Sequence, residues 1–159
     1  MSTAPQTNSS KEREEISLND AATHVLEECR TVVPGMQALF GFQLIAVFTT
    51  VFRDELSSRE RVLHLAALLL VTIAIVLVIA PAAVHRQMEP LAVSRRFIAI
   101  SSGLLMASMA PLAAGICLDI YIVGRVILDT RVGAAITAAL MLLVFIVFWL
   151  LVPRLARRR

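Results

Sequence analysis

Residues 65–84 read LAALLLVTIAIVLVIAPAAV, twenty residues without a single charge. An α-helix of roughly 20 apolar residues crosses a bilayer core about 30 Å thick. Because lipid offers no hydrogen-bond partner to the backbone, such a segment must be helical or buried in protein. The run does not alternate between polar and apolar residues as a membrane β-strand does. It therefore predicts a transmembrane helix.

Similar runs lie on either side of it. The chain has 159 residues, 58% of them hydrophobic, with a mean hydropathy of +0.79, whereas soluble domains are about 45–50% apolar. Three more uncharged runs, each about as long as the first, cover residues 31–52, 97–118 and 132–152. The sequence thus predicts an all-α fold. It is a four-transmembrane-helix bundle over residues 17–159, with helices at about 34–52, 62–84, 97–118 and 132–152.

The N-terminal region is polar. Residues 1–16 are rich in Ser, Thr and Glu and have too little apolar surface to fold alone, so we expect a disordered tail. Residues 17–30 place apolar side chains on one stripe and predict a short amphipathic helix on the membrane surface. Pro34 lacks an N–H and disfavours helical geometry at Val33. The sequence therefore predicts a break or a kink at residues 33–35.

The distribution of positive charge predicts the orientation. Ten of the 15 Lys and Arg residues lie on the side that carries both termini and the loop between the second and third helices. We therefore expect a multi-pass protein of the bacterial cytoplasmic (inner) membrane with cytoplasmic N- and C-termini. The net charge of +3 is explained by this asymmetry and by anionic lipid headgroups of the surrounding bilayer. No nucleic-acid partner is expected, since no basic groove with interleaved aromatic residues is visible.

No carboxylate and no histidine lies within the four uncharged runs. Proton-coupled transport usually needs a carboxylate or histidine within the membrane, and Asp119 is predicted to lie at the outer edge, just after the third helix. His64 and His85 stand at opposite ends of the second helix, roughly 31 Å apart, which is too far for a shared haem. The sequence contains no metal-binding motif. It therefore predicts no catalytic residue, no metal, no cofactor and no enzymatic activity.

Two amide side chains enter the first helix, Gln37 and Gln43, and no other span contains one. An uncharged amide in lipid is stabilised by a partner on another helix, worth on the order of 1 kcal/mol. They are interpreted as determinants of packing specificity, and the alternative is a polar lining for a small pathway.

A charged cluster is predicted at the cytoplasmic ends of the first two helices. The short connection at residues 53–61 makes these helices an antiparallel hairpin, so that their cytoplasmic ends lie side by side. Acidic residues on one end would meet basic residues on the other, either as an interfacial ion pair or as a functional pocket at the inner mouth. The candidates are Glu27, Glu28, Arg30, His85 and Arg86.

The third helix has a small or helix-breaking residue at every fourth position. The residues are Gly103, Ala107, Pro111 and Gly115. Such a stripe allows another helix to approach closely. We expect close helix packing along it, with a ligand groove as the alternative.

The first half of the chain resembles a known family. Residues 26–44 read LEECRTVVPGMQALFGFQL, residues 53–56 read RDEL, and residues 79–86 read IAPAAVHR. Over about residues 25–90 this pattern is similar to an uncharacterised bacterial family of small four-helix integral membrane proteins, known only as a domain of unknown function. The resemblance implies the fold and supplies no activity. Some relatives carry an automatic sodium/proton antiporter label, which the lack of a deep ionisable group does not support.

Three functional hypotheses are compatible with the sequence. The leading hypothesis is a non-enzymatic inner-membrane protein that works by association with itself, as a homo-oligomer, or with a larger membrane-protein partner. The second is a small oligomeric ion or solute transporter that uses the two glutamines and the cytoplasmic cluster. The third is a membrane enzyme acting on lipid headgroups at that cluster.

Overall fold

The computed structural model describes residues 5–88 and 94–156, with side chains at 17–87 and 94–156. Every element in these ranges is helical, which confirms the all-α prediction. In chain order they are α1 Pro5–Ala46, α2 Thr50–Asp54, α3 Ser58–Met88, α4 Arg95–Leu128 and α5 Arg131–Ile146, followed by a π-helical segment Val147–Leu151 and α6 Val152–Ala156.

Three helical segments of the described chain are long and apolar enough to cross a membrane: Ser58–Gln87, Arg95–Leu128 and Arg131–Ala156. The helix α1 is not among them, so the predicted count of four is not confirmed. The reason is that α1 ends at Ala46 rather than near residue 52. Its uncharged part beyond Pro34 is then only about 20 Å long at 1.5 Å per residue.

The N-terminal half of α1 differs from the prediction. Residues 5–16 belong to α1, whereas the sequence predicts disorder over 1–16; residues 1–4 lie outside the described part. The segment 11–15, KEREE, consists of good helix formers. The helix also continues through Pro34, so the chain is not broken at residues 33–35 and residues 17–30 are not a separate helix. Cys29 and Met36, on either side of the proline, are both buried in one cluster, and this packing offsets the cost of the proline.

The boundaries of α3 and α4 are set by local caps. The Ser57 backbone N–H donates to Glu60 Oε2 (2.8 Å), and the Glu60 N–H lies 3.4 Å from Ser57 Oγ. This is a capping box, and it starts α3 at residue 58. The helix α4 continues at its C-terminal end to Leu128, ten residues past the predicted limit of 118. It stops where Asp129 adopts the left-handed conformation (φ 50°).

The core is a seam between α3 and α4, which run antiparallel. Ala67, Val71, Ala74 and Val78 of α3 alternate in spacings of four and three residues, and none is more than 2% exposed. Gly115 of α4 packs against Val71. We call the end of the bundle that holds residues 47–57 and 129–130 the Thr49 end, and the opposite one the Gln87 end.

The other helices pack on this pair. A Cβ on Gly124 of α4 would lie 3.1 Å from Ala134 Cα, so α5 approaches α4 closely there. The helix α1 runs antiparallel to α3, because Cys29 and Met36 meet Ala74 and Val78 while the later residues of α1 reach the start of α3. The apolar half of α1 therefore lies alongside α3.

Candidate functional site

Polar side chains from three helices converge near the Thr49 end: Gln43 of α1, His64 of α3 and Asp119 of α4. Gln43 is 4% exposed and His64 is 7% exposed. The Gln43 amide Nε2 donates to Asp119 Oδ2 (2.5 Å), and His64 Nδ1 lies 3.6 Å from Asp119 Oδ1. The backbone carbonyl oxygen of Gln43 lies 2.9 Å from His64 Nε2. Gln43 thus contacts Asp119 through its side chain and His64 through its backbone carbonyl group.

These contacts determine where a proton sits. A carbonyl oxygen can only accept a hydrogen bond, so His64 Nε2 must carry hydrogen and donate it to Gln43. The other ring nitrogen, Nδ1, faces the Asp119 carboxyl group. A neutral imidazole would point a lone pair at a carboxylate, which is repulsive. A proton on either His64 Nδ1 or Asp119 Oδ1 removes that repulsion. The geometry therefore favours a His64–Asp119 pair in which one of the two residues carries a proton; at 3.6 Å the two atoms are too far apart for a hydrogen bond between them.

Gly115 brings the two partners into range. A Cβ at this position would lie 2.9 Å from Val71 Cγ2 and 3.1 Å from the Ala67 carbonyl oxygen. Glycine therefore lets α4 approach the backbone of α3 at this level. Asp119 comes one turn later on the same side of α4, where it meets His64. Gly115, which the sequence predicts to be a helix-packing residue, therefore also positions the site.

A cavity of about 340 Å³ opens beside the pair. Its lining is mainly apolar and comes from α1, the 47–57 connection, α3 and α4, with Gln43, His64 and Asp119 among its polar residues. The Phe52 ring meets the His64 imidazole edge to face, with centroids 5.2 Å apart. The Gln43 Oε1 atom is buried and has no hydrogen-bond partner within the described part of the chain.

An ion pair lies between the site and the Thr49 end. Arg125 Nε donates to Glu60 Oε1 over 2.9 Å, while Ser57 Oγ donates to Glu60 Oε2 over 2.7 Å. The pair links the start of α3 to α4 about one and a half turns beyond Asp119. Because Arg125 is engaged by Glu60, the nearest cation on α4 is not paired with Asp119.

The position of Asp119 corrects an expectation from the sequence. It lies nine residues before the end of α4, about 14 Å inside the helix, rather than just after the helix. The argument from the sequence against proton-coupled transport placed the end of this helix near residue 118, whereas α4 continues to Leu128. A signal was available in residues 120–126, where Ile122, Val123 and Val126 continue the apolar helical pattern.

The two glutamines separate. Gln43 is buried in the site, whereas Gln37 is exposed and has no part in it. Six residues of a continuous helix amount to a rotation of about 240°, so the two amides cannot share one face. Only Gln43 therefore belongs to the candidate site.

The predicted ion pair between the ends of α1 and α3 does not form. Glu27, Glu28 and Arg86 are exposed, and among residues 17–87 and 94–156 no ion pair joins either glutamate to Arg86 or His85. Cys29 is the residue that α1 turns towards α3, which rotates the preceding glutamates away.

The members of the predicted cluster have other surroundings. The two glutamates line a separate cavity of about 890 Å³ between α1 and α4, with Met36, Ser102 and Trp149. His85 instead packs against Phe97, with ring centroids 5.2 Å apart. Arg30 is exposed on α1.

The small-residue stripe on α4 is divided. Gly115 is buried against α3, whereas Gly103 and Ala107 are exposed and Pro111 is half-buried. A Cβ on Gly103 would meet nothing within 4 Å. The stripe thus serves internal packing at one end only.

Comparison with known proteins gives one match. The sequence profile of a Family of unknown function (DUF6328) matches residues 11–153. No curated protein and no solved structure matches the chain significantly. The family match covers most of the chain, far beyond the 25–90 stretch on which the resemblance rests.

Proposed function

The chain belongs to the Family of unknown function (DUF6328), and we propose that it is a small membrane transporter in which the His64–Asp119 pair takes up and releases one proton. That proton is coupled to the movement of a small solute or ion. The proposed activity makes and breaks no covalent bond in the solute, so in this proposal the protein is not an enzyme. The transporter is proposed to work as an oligomer.

One observation carries this proposal. The bond from His64 Nε2 to the Gln43 carbonyl leaves Nδ1 facing Asp119, so the pair needs one proton to be stable. Ionisable residues within membrane helices are costly and mark proton or substrate pathways. The adjoining cavity offers a space in which a solute could meet the same carboxyl group.

The proposed setting is a four-span bundle in a bacterial inner membrane. Support for the fourth span comes from α1, because Cys29 and Met36 pack beside α3 at the level of Ala74 and Val78. The larger number of basic residues at the Gln87 end and in both terminal segments supports cytoplasmic termini.

Proton flux into liposomes tests the proposal. Purified protein is reconstituted with a trapped pH-sensitive dye, a pH gradient is imposed, and candidate ions and solutes are added to the dilute side. The variants are Asp119→Asn and His64→Gln. The control is Asp129→Asn, which removes an exposed carboxylate at the end of α4 where asparagine tolerates the left-handed backbone.

The expected result is solute-dependent proton flux in the wild type and in Asp129→Asn. Both site variants should fall to the rate of empty liposomes. Flux that persists in Asp119→Asn would contradict the proposal.

Association is a second candidate function, favoured by the open part of the stripe. Gly103 and Ala107 are exposed on a helix apolar enough to span a membrane, and the space at Gly103 is open. Small residues of this kind let a second helix approach closely. If they form a contact between copies, Gly103→Leu should shift the mass of the purified complex in native mass spectrometry, whereas Leu140→Ile on exposed α5 should not.

A further inference from the structure

We infer that the cavity beside Asp119 binds a small hydrophobic organic cation, and that this cation displaces the proton of the His64–Asp119 pair. The inference rests on the proposed function and specifies its substrate class. It commits to an ammonium-type ligand with an apolar body, held by the Asp119 carboxylate.

The lining of the cavity selects this chemistry. Ten of its fourteen residues are apolar, among them Phe42, Phe52 and Ile122, and no Lys or Arg is among them. The volume of about 340 Å³ falls at the small end of ligand sites, which hold roughly 300–1,000 Å³. A sugar or peptide would need many hydrogen-bond partners that this lining does not supply, and an anion would face Asp119 without a cation from the lining.

The Asp119 side chain lines the cavity. The Asp119 side chain keeps 20% of its surface exposed, compared with 8% for His64. Gln43 occupies Oδ2, and Oδ1 faces the histidine. The Phe52 ring next to His64 adds an aromatic surface, which attracts cations through its π face.

The exchange balances in charge. Before binding, the pair holds one proton and is neutral overall. The cation takes the place of that proton at Asp119, the proton leaves for water, and His64 remains neutral with hydrogen on Nε2. One positive charge enters and one leaves, so the buried site never holds an uncompensated charge.

The other charged groups near the pair do not bind the cation or release the proton in place of Asp119 and His64. From α3 the nearest is Glu60 and from α4 it is Arg125, and these two bind each other. From α1 the facing residue is Gln43, which does not titrate. In the 47–57 connection, the charged residues Arg53, Asp54 and Glu55 are exposed and do not line the cavity.

Calorimetric titration of the purified full-length protein in detergent tests the inference. The probe is phenyltrimethylammonium, and the matched neutral ligand is tert-butylbenzene, which has the same shape without the charge. Titration in two buffers of different ionisation enthalpy gives the number of protons released. Empty detergent serves as the blank, and Asp119→Asn, Asp119→Glu and Asp129→Asn are compared.

The expected result is one proton released per cation bound. At pH values where the pair holds its proton, the affinity for the cation should fall about tenfold for each unit by which the pH is lowered, because one proton competes with one cation. Asp119→Asn should weaken binding by about tenfold or more through the lost attraction between the carboxylate and the ammonium charge, while Asp119→Glu and Asp129→Asn should keep proton release. Phenyltrimethylammonium should bind with higher affinity than tert-butylbenzene.

Binding without proton release, equal binding to Asp119→Asn, or no binding to the wild type would overturn the inference. If the cation does not bind but liposome proton flux still depends on Asp119, only the substrate class is wrong. If the cation binds with proton release and no flux is seen, the transport proposal fails and the exchange site stands.

Discussion

His64 donates its Nε2–H to the backbone carbonyl oxygen of Gln43 over 2.9 Å, across the interface between α1 and α3. The side chain of the same glutamine donates to Asp119 on α4. One residue therefore fixes the tautomer of the histidine and orients the carboxyl group that faces it. Because Gln43 links three helices in this way, its loss should be felt in both stability and proton binding.

Gln43 should matter for stability where Gln37 does not. Replacing Gln43 with leucine removes the donor to Asp119, and a side-chain hydrogen bond between membrane helices is worth about 0.6–2 kcal/mol. We expect Gln43→Leu to lower the free energy of unfolding by about 1 kcal/mol, measured by denaturant titration in mixed micelles. Gln37→Leu, on the exposed side of the same helix, should change it by less than about 0.5 kcal/mol.

Gly115 and Gly103 should respond differently to the same change. An alanine Cβ at Gly115 would come within 2.9 Å of Val71 and 3.1 Å of the Ala67 backbone, and such overpacking costs about 1–3 kcal/mol. Gly115→Ala should therefore lower thermal stability in detergent and also disturb the His64–Asp119 contact.

The matched variant is Gly103→Ala. Its Cβ meets nothing within 4 Å, and alanine gains up to about 1 kcal/mol over glycine in a helix. Its stability should equal or exceed that of the wild type. Equal losses in both variants would mean that α4 does not pack on α3 as described.

Glu60 should be more important than its partner Arg125. Glu60→Ala removes the ion pair together with the Glu60 half of the capping box, in which Ser57 donates to Glu60 Oε2, each worth about 1 kcal/mol. Arg125→Ala removes the ion pair and leaves the cap. The loss in unfolding free energy for Glu60→Ala should be roughly twice that for Arg125→Ala, and Arg59→Ala on the exposed surface should be neutral. A larger loss for Arg125→Ala would be inconsistent with this geometry.

Glu28 and Arg86 should act independently, because no ion pair joins them in the described part of the chain. Each single alanine variant should lie within about 0.5 kcal/mol of the wild type, as is usual for exposed positions. The double variant should equal the sum of the two, as for sites without shared partners. A coupling energy well above about 0.5 kcal/mol in the double-mutant cycle would show that the ion pair predicted from the sequence does form.

Particular residues show what the sequence could and could not predict. Long uncharged runs predict membrane-capable helices because lipid imposes length and composition directly. The capping box from Ser57 to Glu60 is predictable because its partners lie three residues apart. Asp119 is easily misplaced, because a charge after an apolar run reads as the end of a span. Its partner His64 lies 55 positions earlier in the chain, so sequence spacing carries no sign of their contact.

In the proposed site, His64 and Asp119 hold one exchangeable proton between them while His64 Nε2 stays protonated. Solid-state ¹⁵N NMR of histidine-labelled protein in lipid measures this directly, with His64→Gln used to assign the signals. We expect a protonated Nε2 throughout the titration. We also expect an Nδ1 signal that changes with pH in the wild type and changes differently in Asp119→Asn. An Nδ1–H tautomer with a bare Nε2, or an Nδ1 signal insensitive to the Asp119 substitution, would contradict it.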